Sequence, residues 1–427
     1  MPQYRKPTDS QTETATNDLA RFRSAFYGAF TKWSDALFEL SDALLDAQGV
    51  VGSVPSLSLE PIFRRSHGSL YKALALGEID EAALRALLVV KRPKDWPAVF
   101  AVDASTWERS DAECSPERGF YHSASKHSAG QPIVAGWSYQ WIAQVKRRVE
   151  LLEEDSAAPL FVFDAGYGPI AIGYSLKDTA VQVLVRLRSD RVFYTVPPGP
   201  SGFTGTPLRR HGRRFKLSDP GSAPRPDAEC CFADPRYGTV HVRAWHGLHP
   251  RLSGRGRWAG EHPRPIVIGH VIRIDVEHLP KHDSREKKTL WLWWAGPGEL
   301  DLELCVAAYL HRFDLEHTFR FVKNTLGWTA PSLCTPEQAD RWTWLVVAAY
   351  TQLRLARGLV DDMRLPWERP REPALLTPAR VRRGFHRLRA TIGTPASAPK
   401  STIAGPGRPK GTRRGPRTRH PVVKKAA

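Results

Sequence analysis

From Asp18 to about Leu88 the apolar residues recur every three or four positions, as in Leu19, Phe22, Phe26, Phe30, Trp33, Leu37, Leu40, Leu44 and Leu45. That spacing predicts amphipathic helices. The pattern breaks at Gly49–Pro55 and resumes through Phe63–Leu74, while residues 1–17 are polar and predict disorder. After a Lys91-Arg-Pro-Lys94 linker the pattern changes to short apolar runs. Trp96–Asp103 and Pro159–Asp164 read as buried strands that each end in an acid. Gly119–His122, Ile133–Trp141 and Val181–Leu187 read as further strands. Gln144–Glu154 and Pro169–Thr179 suit short helices, so the order predicts a mixed α/β sheet. Between Asp190 and Lys288 the chain turns rich in Gly, Pro, Arg and His. Its β-like runs at Thr239–Trp245 and Arg264–Val276 predict a β-rich insertion. Thr289–Gly296 reads as a last strand, and Asp340–Leu359 as an apolar helix. Thr377-Pro378 opens a basic helix to about Arg389, with Pro at the first helical position. Disorder is expected from Gly393 onward.

Composition adds little to this outline until charge is counted. With 427 residues, 41% hydrophobic content and 14 Trp, the chain has material for several domains and a substantial core. No apolar run reaches membrane-span length, no signal-peptide pattern is present, and five cysteines lack metal-ligand spacing. A cytoplasmic protein without a membrane partner is expected. The formal net charge is +18, and no acid follows Glu372 although Lys and Arg occur there 14 times. That imbalance points to nucleic acid, bound through phosphate neutralisation and counterion release. Arg64, Arg65, His67 and Lys72, with Tyr71 nearby, are candidate DNA contacts, although an ordinary basic helical surface explains them equally well.

The most informative stretch is Tyr309–Trp328, which reads as one helix. Tyr309, Arg312, Glu316 and Lys323 follow one another at +3, +4 and +7. At about 100° per residue they fall within a sector of about 60°. An acid, two cations and a phenol on one face make a poor core, and a solvated face is the plain alternative. Asp103 and Asp164, each after a buried strand, shift the balance. With Glu316 they supply three hard oxygen donors suited to Mg²⁺, with Mn²⁺ as a substitute. Two such ions can promote in-line displacement at phosphorus. Arg312 can then grip phosphate bidentately, Lys323 offers a point charge, and Tyr309 can donate a hydrogen bond or stack on a base. The lone histidines His122, His127, His311 and His317 have no paired spacing, and no phosphate loop implies ATP.

These residues resemble those of the DDE transposases of bacterial insertion sequences. The spacing Y-x2-R-x3-E-x6-K is the signature of one subgroup, and it stands here as Tyr309, Arg312, Glu316 and Lys323. Asp103 in AVDAST and Asp164 in FVFDAGY match the family's first two acids, and Tyr167 matches the aromatic that follows the second. The resemblance implies an RNase H-like core with metal ligands Asp103, Asp164 and Glu316. It implies DNA-end contacts from Tyr309, Arg312 and Lys323, and cleavage at inverted repeats followed by strand transfer in a dimeric synaptic complex on double-stranded DNA. The expected domains are a disordered segment at 1–17, a helical DNA-binding domain at 18–92, and core segments at 93–189 and 291–360. A β-rich insertion at 190–290 and a basic tail at 361–427 complete them. The family also implies a base flipped onto a Trp of the insertion, for which Trp245, Trp291, Trp293 and Trp294 are candidates. In the tail, Gly405–Gly411 and Thr412–Arg417 are similar to an AT-hook, which makes Arg408, Lys410, Arg413 and Arg414 candidate minor-groove contacts. One departure stands out: the family has a sizeable helix where only Gln144–Glu154 is available. A catalytically degenerate copy that only binds DNA, or represses, is therefore the rival reading, and a repair or resolving nuclease of the same fold is the third.

Overall fold

The computed structural model describes residues 9–93, 96–122, 132–145, 158–197, 210–254, 256–279, 288–400, 411 and 415–423. The chain opens with α1 (Asp9–Gly28), β1 (Phe30–Lys32), α2 (Ser34–Asp46), α3 (Val54–Leu57), α4 (His67–Leu76), β2 (Glu78–Ile79) and α5 (Glu81–Val90). There follow β3 (Val99–Glu108), β4 (Gly119–His122), β5 (Ile133–Gln144), β6 (Leu160–Phe163), α6 (Pro169–Ser175) and β7 (Gln182–Leu187). Next come β8 (Val192–Tyr194), β9 (Arg214–Lys216), β10 (Ala228–Asp234), β11 (Gly238–Leu248), β12 (Gly269–Val276) and β13 (Thr289–Ala295). The last helices are α7 (Leu302–His311), α8 (Phe313–Asn324), α9 (Pro336–Leu355) and α10 (Pro378–Ile392). No helix among the described residues is long and apolar enough to cross a membrane.

The chain divides into two compact units: residues 1–92, 106–139 and 317–426 form one, and 93–105 with 140–316 form the other. The first is mainly helical. Its core is built from the periodic residues of α1 and α2 (Leu19, Phe22, Phe26, Leu37, Leu40 and Leu44) together with Trp342 and Leu345 of α9 and Phe385 of α10, all fully buried. One polar node sits among them. The Arg23 guanidinium donates to both carboxylate oxygens of Asp42 at 2.7 and 2.9 Å, to Gln352 Oε1 at 2.7 Å and to the Gly393 carbonyl at 3.2 Å. At the end of α8, Gly327 takes φ +66° and passes so close to the Val51 carbonyl that a Cβ would collide with it. Only glycine suits that position.

The second unit is organised on a mixed sheet in the order β10-β11-β12-β13-β7-β6-β3, with the C-terminal part of β5 beyond β3. β3, β6 and β7 run parallel, whereas β7, β13, β12, β11 and β10 pair antiparallel. The parallel strands pair through apolar segments: Val99, Ala101, Val102, Leu160, Val162, Val183, Leu184 and Val185 are all buried. The expected β-rich insertion joins the same sheet through β13, and β8 with β9 form a small antiparallel two-stranded sheet. Gly269 faces the Trp293 ring so closely that any side chain there would clash. This mixed α/β architecture with a large sheet fits the RNase H-like nuclease fold that the sequence implied.

Several local expectations change. α1 begins at Asp9, inside the segment expected to be disordered. The polar first turns extend a helix that Leu19, Phe22 and Phe26 anchor in the core. β3 continues past Asp103 to Glu108, so that acid lies within the strand, and β5 runs to Gln144. The expected Gln144–Glu154 helix falls mostly outside the described residues. Arg64 and Arg65, offered as DNA contacts, are instead tied to acids: Arg64 meets buried Glu39 at 2.7 Å, and Arg65 meets Asp35 at 3.2 Å. Their guanidinium groups also hold the carbonyls of Ala396 and Ser397 in the segment expected to be disordered. Further along that tail, Val423 donates to the Arg118 carbonyl and His420 to the Glu113 carbonyl.

Candidate active site

The site is assembled by two parallel strands and one helix junction of the second unit. β3 places Asp103 at a partly exposed position just after buried Ala101 and Val102. β6 ends at Phe163, and Asp164 is the next residue. The two strands pair with Val102 opposite Phe163, so the two aspartates occupy adjacent positions of the register. Arg312 and Glu316 come from the α7–α8 junction.

That junction corrects the single helix expected over Tyr309–Trp328. Asp301 caps α7 by accepting from the Leu304 amide at 2.8 Å, and α7 ends at His311. The Arg312 amide is shared between the Ala308 and Tyr309 carbonyls, and Leu315 bonds back to the Arg312 carbonyl at 3.0 Å. Such i→i+3 bonds mark a tightened turn. Nor is the signature face a solvated one. Tyr309 and Arg312 are buried, whereas the Glu316 side chain is 54% exposed.

Arg312 is the hub, with only 3% of its side chain exposed. Its guanidinium approaches Asp103 Oδ2 at 3.4 Å, Glu316 Oε1 at 3.4 Å and Asp164 Oδ1 at 3.9 Å. Three carboxylates from three places in the chain thus converge on one cation. Two phenols border them. Gln140 Nε2 lies 3.5 Å from the Tyr167 hydroxyl. Burial pushes the Tyr167 phenol up, and the negative charges of Asp103 and Asp164 add to the shift. Burial also raises Tyr309, against the opposing positive charges of Arg186 and Arg312. Both phenols therefore stay protonated, as hydrogen-bond donors, in the neutral range.

The arrangement suits a hard divalent cation. All three acids offer oxygen, and their combined charge exceeds that of the single guanidinium by two. Asp164 Oδ1 is also a buried oxygen without a hydrogen-bond partner. In this conformation the acids surround Arg312 rather than one another, and among the described residues no set of three His, Cys, Asp or Glu is grouped as a ready metal site.

Of the candidate residues, Asp103, Asp164, Tyr309, Arg312 and Glu316 come together in the second unit. Lys323 belongs to the first unit, where its ammonium lies 6.0 Å from the Phe319 ring centre and 5.8 Å from that of Trp328. Arg408, Lys410, Arg413 and Arg414 lie outside the described residues. The four tryptophans named as candidates for base capture, Trp245, Trp291, Trp293 and Trp294, are all buried. Trp293 stacks on Phe193, Trp245 packs on Phe215 and Trp291, and Trp294 abuts His270. The part of Gln140 was not legible beforehand, since only strand pairing brings it beside Tyr167.

A family model described as DDE superfamily endonuclease matches residues 25–159 and 146–251, more than half of the chain. The matched segments contain Asp103 and Asp164 and stop short of Glu316. No curated protein matches the chain.

Proposed function

The chain belongs to the DDE superfamily endonucleases, and on that premise we propose that it is a cut-and-paste DNA transposase of the subgroup with the Y-x2-R-x3-E-x6-K signature. The observation that carries this reading is the convergence of Asp103, Asp164 and Glu316 on Arg312, at 3.4, 3.9 and 3.4 Å. Asp103, Asp164 and Glu316 would hold Mg²⁺, or Mn²⁺ in its place. A divalent ion held there would supply Lewis-acid activation of a water or 3′-hydroxyl and charge stabilisation at the leaving oxygen. Arg312 keeps the three carboxylates oriented through its planar fork and offers the same donors to a phosphate of the DNA end. Tyr309 and Tyr167 contribute phenolic protons beside the acids, and Lys323 adds a phosphate contact. The helices within 18–92 read the terminal inverted repeats, with exposed His67, Tyr71 and Lys72 as their nearest candidates. The basic tail, with Arg408, Lys410, Arg413 and Arg414, adds nonspecific contacts. The working assembly is a homodimeric synaptic complex on double-stranded DNA in the bacterial cytoplasm.

One observation favours the second reading, a degenerate copy that binds DNA without cutting. Only 15 residues join β5 to β6, where the family places a sizeable helix. Cleavage of DNA carrying the gene's own flanks, with Mg²⁺ or Mn²⁺, separates the two. The wild type is expected to cut at the repeat ends. Glu316→Gln is expected to bind with unchanged affinity and to cut at least about a thousandfold more slowly, since it removes one donor of the charge-stabilising set. Binding without cutting by both proteins would establish the degenerate reading.

A further inference from the structure

An exposed aromatic side chain lies in the helical unit, between α9 and α10. Trp367 is 78% exposed. It occupies the tip of a turn, Leu365-Pro366-Trp367-Glu368. The Glu368 amide donates to the Leu365 carbonyl at 2.9 Å, and the Leu365 amide donates to Glu368 Oε2 at 2.8 Å. Pro366 fixes the backbone one residue earlier. The turn is tied to α10 on both sides. Glu368 accepts from Arg383 at 2.5 and 2.9 Å. Asp362 accepts from Arg380 at 3.0 Å, and Arg380 also donates to the Arg369 carbonyl at 2.9 Å. Arg383 holds the Glu368 carboxyl down to about 2, so the tether survives across the neutral range. An indole raised into solvent on a braced turn keeps most of its surface for an incoming partner.

We propose that Trp367, bracketed by Arg364, Arg369 and Arg371, is a stacking site for an unpaired base of DNA, separate from the carboxylate site. The chemistry of the surroundings selects this occupant. Arg364, Arg369 and Arg371 are exposed. Asp362 and Glu368 are engaged with α10, which leaves Asp361 and Glu372 as the exposed acids of the stretch. Exposed arginines within four residues of an exposed indole along the chain fit a phosphate chain with splayed bases. A protein partner calls for a contiguous apolar patch, whereas here the exposed apolar residues, Leu365 at 36%, Trp367 and Leu375 at 61%, are interspersed along the chain with exposed Arg364, Arg369 and Arg371. A duplex offers no open base face, so the site favours single strands.

This inference rests on the reading of the protein as DNA-acting, and its test is a binding measurement made without divalent metal. Fluorescence anisotropy with a short oligothymidylate and a duplex of equal length compares wild type, Trp367→Ala and Trp367→Phe. Trp367→Ala is expected to weaken single-strand binding about tenfold and duplex binding less than about twofold, with Trp367→Phe keeping most of the single-strand affinity. Equal losses on both DNAs, no loss on either, or a wild type that fails to bind the oligothymidylate would each overturn the stacking site. A change in oligomeric state on sedimentation of Trp367→Ala would overturn it in favour of a protein contact. Cleavage of the flanking DNA is measured separately: if it persists while the stacking site fails, the transposase reading stands.

Discussion

Two buried arginines, one in each unit, carry opposite lessons. Arg23 is 2% exposed and Arg312 is 3% exposed, so burial alone does not tell them apart. Arg23 is closed: one carboxylate answers it with two short bonds, and Gln352 and Gly393 take further protons. Charge balances charge. Arg312 is open: it meets three carboxylates at 3.4 to 3.9 Å, and its buried Nε has no hydrogen-bond partner. Negative charge is left over, and the acids range from 24% to 54% exposed. A closed ion pair stabilises a fold. An open one, with surplus charge near solvent, is a place for a ligand to enter.

The largest effect expected from this contrast is on the closed pair. Arg23→Met leaves Asp42 buried and unpaired, and is expected to cost roughly 3–5 kcal/mol in denaturant unfolding. Arg23→Met with Asp42→Leu is expected to recover most of that loss. A single variant as stable as wild type would show that the node is not needed. An intermediate case sharpens the comparison: His270 of the insertion, which has neither a closed partner nor surplus charge around it. Burial first, and then His246, push its imidazole down to about 4. The unfolded chain therefore takes up the proton first, near pH 6.5. Stability is full above that pH and falls as pH drops through 6.5 towards 4, by on the order of 2 kcal/mol. His270→Gln is expected to flatten part of this slope in melts across that range. An unchanged slope would remove His270 from the account. The smallest stability effect falls on the open site. Arg312→Met is expected to cost about 1 kcal/mol or less, because partly exposed carboxylates keep their water. Cleavage is expected to be lost. A destabilisation as large as that of Arg23→Met would erase the distinction between the two arginines.

The amino-acid sequence by itself marked out Asp103, Asp164, Tyr309, Arg312 and Glu316, though not Gln140, and it set much of the secondary structure. Strand β4 lies where its residues predicted, β13 starts at the expected Thr289 and ends one residue early, and α9 is displaced by four residues. Asp103, Asp164, Arg312 and Glu316 were recognisable because two short apolar runs and one helical spacing leave few other places for them. These are local signals, fixed by strand alternation and by 3.6 residues per turn. Only the tertiary structure decided what surrounds those residues. It decided that Arg312 lies buried among the acids rather than on a wet helix face, and that α7 and α8 part at that residue. It buried the four insertion tryptophans and left Trp367 outside. It paired Arg64 and Arg65 with acids, because Glu39 and Asp35, about 25 to 30 residues away in the chain, are brought to them by packing. Burial and charge pairing depend on neighbours distant in sequence, and periodicity records only those nearby.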